Sequence, residues 1–282
     1  MKNRIIYLTI PVISIIIILF TIRHTKKEHK KFLLPLFFAL SGLNYIFESF
    51  VLVIGQGYEY KPKLLKNAYF DNVLGSVASQ LFIVPATGTL VSILNLKYRW
   101  SLLISIILTT IELLFVKLKI FKQYWWSAAF TTIGILVFHA ISKYWVKQLT
   151  EESNKSIRNM TVFLSILVSY ITLNFLHVSF LKTGLFNIRL YKNPYRSHVA
   201  IATVYSLLFS AFISMSLLIK KGYIYLFAIS SFLVLEIILI KNKAITVYNK
   251  LIYVLSPLTK LISIGTGRYV LKLLHSNEFH NR

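Results

Sequence analysis

Apolar side chains fill almost every position in runs of about 17 to 23 residues, and these runs recur along the whole chain, at about 5–22, 32–54, 73–95, 100–116, 125–142, 160–181, 199–219 and 223–240. The connecting stretches carry Lys, Arg, Gly, Pro and Asn, and 55–72, 143–159 and 182–198 are the sizeable ones. Runs of that length match the hydrocarbon core of a bilayer, and a water-soluble domain has nowhere to bury eight of them. The pattern predicts an all-α fold, a polytopic integral membrane helical bundle with about eight transmembrane helices. Lys2 and Arg4 precede the first run as in a signal peptide. That run ends in Arg23-His24-Thr25-Lys26-Lys27 without a small-residue cleavage site, so it is expected to persist as a span.

The stretch from Asp71 to Trp126 organises the reading. It joins a Gly/Ser-studded apolar helix interrupted by Pro85 to a second apolar helix carrying Glu112, and it closes on Trp125-Trp126, where aromatic rings anchor an interface. The linker 55–72 is long enough to lie on the surface as a partial helix. After residue 240, Leu251, Ile252, Leu255, Leu258, Leu261 and Ile262 recur at helical spacing with Lys250, Lys260 and Lys272 among them. This divides the chain into a transmembrane helical domain, 1–240, and a basic amphipathic tail, 241–282, lying on the membrane surface and broken near Pro257; a ninth span is the alternative.

The formal charge of +23 changes the picture less than its size suggests. The 32 Lys and Arg residues fall outside the apolar runs, as side chains that reach headgroups and face anionic lipids do. With no basic stretch on a soluble module, nucleic acid is not an expected partner. The absence of Cys removes disulfides and thiolate metal sites. Charge does not orient the chain: the first span argues for an external N-terminus, whereas the two faces hold 13 and 19 basic residues in favour of both termini inside.

Candidate chemistry comes from polar residues within the runs. Glu48, Glu112 and Glu236 lie inside predicted helices with His139 and His177, and no Lys or Arg lies with them. An ionised acid there costs roughly 2.5 to 3.5 kcal/mol, so each needs a proton, the interface or a partner. By alternating topology, Glu48, Glu112, His177 and Glu236 fall near one membrane face together with Asp71. Helical spacing groups Ser101, Ser105, Thr109 and Glu112 on one stripe. It does the same for Ser41, Asn44 and Glu48, for Tyr170, Asn174 and His177, and for Thr203, Ser206, Ser210 and Ser214. Glu48, Glu112, His177, Asn44 and Asp71 are the candidate binding residues, with Glu236, one turn from its helix end beside Lys241 and Lys243, expected to make a structural hydrogen bond or to reach the interface. Gly75, Ser79 and Ala86 let a neighbouring helix approach, and Pro85 frees a backbone carbonyl. No metal site or cofactor is expected: Gly265-Thr-Gly267 lacks the rest of a dinucleotide loop, and no HExxH, P-loop or serine elbow occurs.

Glu112, Lys117 and Lys119 recur 124 residues later as Glu236, Lys241 and Lys243, and Lys97 recurs as Lys221. This echo suggests a 4+4 parallel repeat of spans 1–4 and 5–8. Pro85-Ala-Thr, Ile111-Glu112-Leu-Leu, Lys119-Ile-Phe and Trp125-Trp126-Ser127 together resemble multi-pass membrane protein families of spore-forming Firmicutes, over roughly residues 70–146. The resemblance implies a bacterial cytoplasmic membrane and no activity. Three functions remain open: a small-solute or ion carrier with a proton- or cation-binding acidic cavity, a non-catalytic assembly, sensing or envelope protein, and a lipid-modifying enzyme using Glu and His as acid and base.

Overall fold

Helices account for nearly all regular structure in the computed structural model, which describes residues 2–219 and 222–275. Among the described residues, eight helical segments are long and apolar enough to cross a membrane, so the protein is an all-α, multi-pass membrane protein in contact with lipid. Lys221 of the 124-residue echo and tail residues 276–282 lie outside the described residues.

The chain forms two compact units, Met1–Arg158 and Asn159–Arg282. The first contains α1 (Lys2–His24), α2 (Lys30–Glu48) running on as a π-helix over Ser49–Ile54, and strand β1 (Tyr58–Tyr60). A broken span follows, α3 (Ala68–Val77), a π-helix over Ala78–Ile83 and α4 (Val84–Ile93). The unit closes with α5 (Tyr98–Lys117), strand β2 (Phe121–Gln123) and α6 (Ala128–Thr150). In the second unit α7 (Lys155–Leu181) leads to strand β3 (Gly184–Phe186), α8 (Pro194–Leu218), α9 (Gly222–Lys241), strand β4 (Ile245–Val247) and α10 (Ile252–His275).

The linker expected as a partial helix instead holds β1, which pairs antiparallel with β2 in the register Tyr58↔Gln123, Glu59↔Lys122, Tyr60↔Phe121. β3 pairs with β4 in the same sense, Gly184↔Val247 to Phe186↔Ile245. Each pair unites loops separated by two spans, which places those loops at one membrane face. Such short strands leave little periodicity to read, and each is stable only because its partner and the helix ends satisfy its backbone.

The two units have the same order from α2 onward, so the repeat that the echo signals is shifted by one span: α2 to α6 correspond to α7 to α10, and α1 stands outside. The correspondence extends to individual hydrogen bonds. Asn67 caps α3 by accepting from Phe70 N–H, and Asn193, 126 residues on, caps α8 by accepting from Arg196 N–H. Asp71 accepts from the N–H groups of Leu64 and Leu65; Ser197 accepts from those of Leu190 and Tyr191. Tyr60 N–H donates to Asn72, and Phe186 N–H donates to His198. From the latter part of α5 onward the offset is 124: Tyr124 N–H meets the Gly57 carbonyl as Tyr248 N–H meets that of Thr183. Left-handed backbone also recurs, at Gln56 and Lys182 and again at Lys119 and Lys243. Non-glycine residues seldom adopt it, so its occurrence at matched places marks a shared backbone path.

The extra helix explains a difference between the units. α1 packs along the broken span, where Ala78, Ala86, Thr89 and Ile93 are buried. The matching positions of α8 carry Val204, Phe212, Met215 and Ile219, all exposed. At three of the four positions a smaller residue lies under α1 where a bulkier one is exposed in the second unit, as expected where close approach rather than water exclusion drives helix association, while Ile93 and Ile219 differ in burial alone.

α10 is continuous, with Pro257 near its start and no break there. Pro257 lacks the N–H that would donate to the carbonyl of Tyr253, four residues back within the helix, and α10 runs on past that missing bond. Its buried face includes Lys260, Ser263, Ile264, Gly267 and Val270, and residues 241–275 belong to the second unit.

Candidate functional site

In the first unit Glu48 is buried at the end of α2, where the helix passes into its π segment. Its Oε2 accepts from the Tyr58 hydroxyl and, at 3.1 Å, from Gln80 Nε2. Burial, then the adjacent Glu48 carboxylate, push the Tyr58 hydroxyl well above its ordinary pKa, so it remains a donor. Gln80 lies in the π segment ahead of Pro85, and this ring would free the carbonyl of Leu81. Ser41 Oγ approaches that carbonyl at 3.5 Å, and Asn44 Nδ2 donates to Gln80 O at 3.4 Å. The stripe Ser41, Asn44, Glu48 thus faces the broken span and supplies its missing partners.

Glu112 has a separate partner. Its Oε1 accepts from Gln123 Nε2 at 2.6 Å, on the strand opposite Tyr58. Both carboxylates are tied to one strand pair, each through its own neutral donor. Ser101, Ser105 and Thr109 are buried, and Thr109 and Thr132 share a hydrogen bond of 2.8 Å, so this stripe packs α5 on α6. Asp71 holds the loop ahead of α3 by accepting from the N–H groups of Lys63, Leu64 and Leu65 at 2.7 to 2.8 Å. Those three bonds explain the buried carboxylate without a ligand.

His177 belongs to the second unit, where a cavity of about 30 Å³ opens between α7, α8, α9 and the strand pair. Tyr170, Asn174, His177, His198, Tyr205 and Glu236 contribute its polar lining. The helical stripe Tyr170, Asn174, His177 therefore lines a cavity, whereas Ser206, Ser210 and Ser214 of α8 are packed, with Ser206 and Ser214 bonded to their own helix. His177 Nδ1 lies 2.7 Å from the Thr183 hydroxyl, and Nε2 is buried without a hydrogen-bond partner. His198 Nδ1 accepts from Phe186 N–H, which places the proton of the neutral ring on Nε2.

The feature that sequence reasoning missed is the partner of Glu236. Lys260 of α10, fully buried, forms an ion pair with Glu236 Oε2. Ser256 Oγ donates to that oxygen at 2.7 Å and accepts from Lys260 Nζ at 2.6 Å. The ammonium also stands 5.9 Å from the Tyr170 ring centroid and 6.0 Å from that of Tyr205. Of the two expectations for Glu236 the structural bond holds and the reach to the interface beside Lys241 and Lys243 does not, and the spans' acids are not all without a cation. The signal was available: Ser256, Lys260, Ser263 and Gly267 follow helical spacing, a polar and small face unsuited to lipid. It was masked because Lys260 stands among the other basic residues of a tail that looks interfacial.

Among the described residues, no three His, Asp or Glu side chains gather to hold a metal ion. No family model, curated protein sequence or solved structure matches the chain.

Proposed function

We propose that this protein is a membrane carrier for a small monovalent cation, with the cavity of the second unit as its binding site. The observation that carries the reading is Glu236, an intramembrane carboxylate lining a cavity with room for one or two water-sized groups, next to a buried histidine nitrogen that lacks a partner. Internal duplication supports it, since many carriers are built from repeats with the ligand held by intramembrane polar groups. The first unit supports a scaffolding role instead: Glu48 Oε2, Glu112 Oε1 and the Asp71 carboxylate each accept from neutral donors of their own unit. The setting we infer is a bacterial cytoplasmic membrane, where the many Lys and Arg side chains face anionic headgroups.

Uptake of rubidium, sodium and methylammonium into proteoliposomes, with the vesicle interior acidic, tests the proposal. Wild type is expected to accumulate at least one of them above protein-free vesicles, and Glu236→Gln to abolish the uptake. Uptake absent from wild type, or unchanged in Glu236→Gln, would contradict it.

A further inference from the structure

The group already bound in the cavity wall indicates what the cavity takes. Lys260 presents a primary ammonium to a carboxylate, a serine hydroxyl and the faces of two tyrosines. That is the environment in which organic ammonium ions are recognised, by charge pairing on one side and ring quadrupoles on the other. Glu236 borders the open space, while Lys260 is sealed behind it.

We infer that Lys260 is a tethered competitor for a substrate ammonium, and that the cavity exchanges ammonium or a small primary alkylammonium for one proton. This inference rests on the carrier reading and specifies its substrate class and coupling.

The charge balance follows from burial. Two cations cannot share Glu236 without leaving an uncompensated positive charge in a poorly solvated place. When the incoming ammonium pairs with the carboxylate, one N–H bond of the Lys260 ammonium breaks. The nitrogen keeps the electron pair as a neutral amine, and the proton leaves for water. The site remains neutral, with one cation in and one proton out. The titratable groups facing Lys260 are Glu236 from α9, Tyr170 and His177 from α7, and Tyr205 from α8, with the Ser256 hydroxyl on its own helix and His198 of α8 lining the cavity beyond. His177, its Nε2 unpartnered, lines the same cavity and is the group suited to receive the proton on its way out. The cavity volume limits the ligand to a small head. Methylammonium fits, whereas a trimethylammonium group does not.

Proton release from purified protein in lightly buffered detergent solution tests the inference independently of transport. Methylammonium chloride is expected to release close to one proton per protein, and sodium chloride and choline chloride none. Lys260→Arg keeps the positive charge beside Glu236 but cannot give up a proton. It should remain folded by thermal melting and lose the release by at least tenfold. Lys260→Met provides a second check: with the ammonium gone the buried Glu236 holds its own proton, so methylammonium should still release one proton, now from Glu236, and Lys260→Met combined with Glu236→Gln should release none. No release from wild type, equal release with sodium, undiminished release from Lys260→Arg, or release persisting in the double variant would overturn the inference. Proton release without uptake in vesicles would sink the carrier reading alone, and uptake without proton release would sink this inference alone.

Discussion

Asp71 and Ser197 stand at matched positions and hold matched loops, one with a carboxylate and the other with a hydroxyl. The task is therefore to accept backbone N–H groups, and charge is dispensable to it. Asp71→Asn places an amide donor against donors and should cost about 1.5–3 kcal/mol of stability. Asp71→Ser should cost less, and thermal melts of the two variants give the order. The Glu236–Lys260 pair behaves differently because it is buried. Glu236→Gln or Lys260→Met alone leaves one charge without its partner, at roughly 3–5 kcal/mol, whereas the double variant removes both and should recover most of that loss. Double variants no more stable than the worse single one would show that the pair is not energetically coupled. At this scale the sequence was only half informative. Glu48, Asn44 and the Tyr170, Asn174, His177 stripe were legible from helical spacing. The pairing of Glu236 was not, because it depends on which face of a distant helix packs against α9.

Helix α10 shows the same limit at the level of the element. Its basic residues and modest hydropathy read as a surface tail, yet its contacts are those of a packed helix. A Cβ built on Gly267 would lie 2.6 Å from Ile166 Cγ1, on the fully buried side of α7, whereas one on Gly265 meets nothing within 4 Å. Gly267→Ala should therefore overpack and destabilise by about 1–3 kcal/mol. Gly265→Ala should be neutral or stabilising by about 0.5–1 kcal/mol through helix propensity. Denaturation of the two variants checks the pair, and equal effects would refute the docking. α10 also takes the chain position that α6, a candidate span, takes in the first unit. An impermeant thiol reagent should then label a cysteine at 275 from the side that labels 152, and a cysteine at 250 from the other. Labelling of 250 and 275 from one side would mean that α10 does not cross. The eight apolar spans were readable directly, since hydrocarbon thickness imposes a length on each; the strands, three residues apiece, were not.

For the whole molecule, alternation of spans and pairing of strands make the same demand. Glu59 opposes Lys122 and Leu185 opposes Thr246, so cysteines introduced at 64, 122, 190 and 246 of this Cys-free chain should label from one face, and those at 28 and 152 from the other. Opposite labelling at 64 and 122 would contradict the fold itself. The duplication was visible as a 124-residue echo of four charged positions. Its phase was not, because most matched positions are apolar in both copies and, the Asn67 and Asn193 caps apart, the matched side-chain hydrogen bonds use different residues, Asp71 for Ser197 and Asn72 for His198. The central claim is that the second unit binds the cation through Glu236 while Glu48 holds the first unit together. Calorimetric titration of methylammonium into purified wild type, Glu236→Gln and Glu48→Gln tests it most directly. The account predicts saturable binding to wild type and Glu48→Gln and at least tenfold weaker binding to Glu236→Gln; retained binding in Glu236→Gln together with its loss in Glu48→Gln would contradict it.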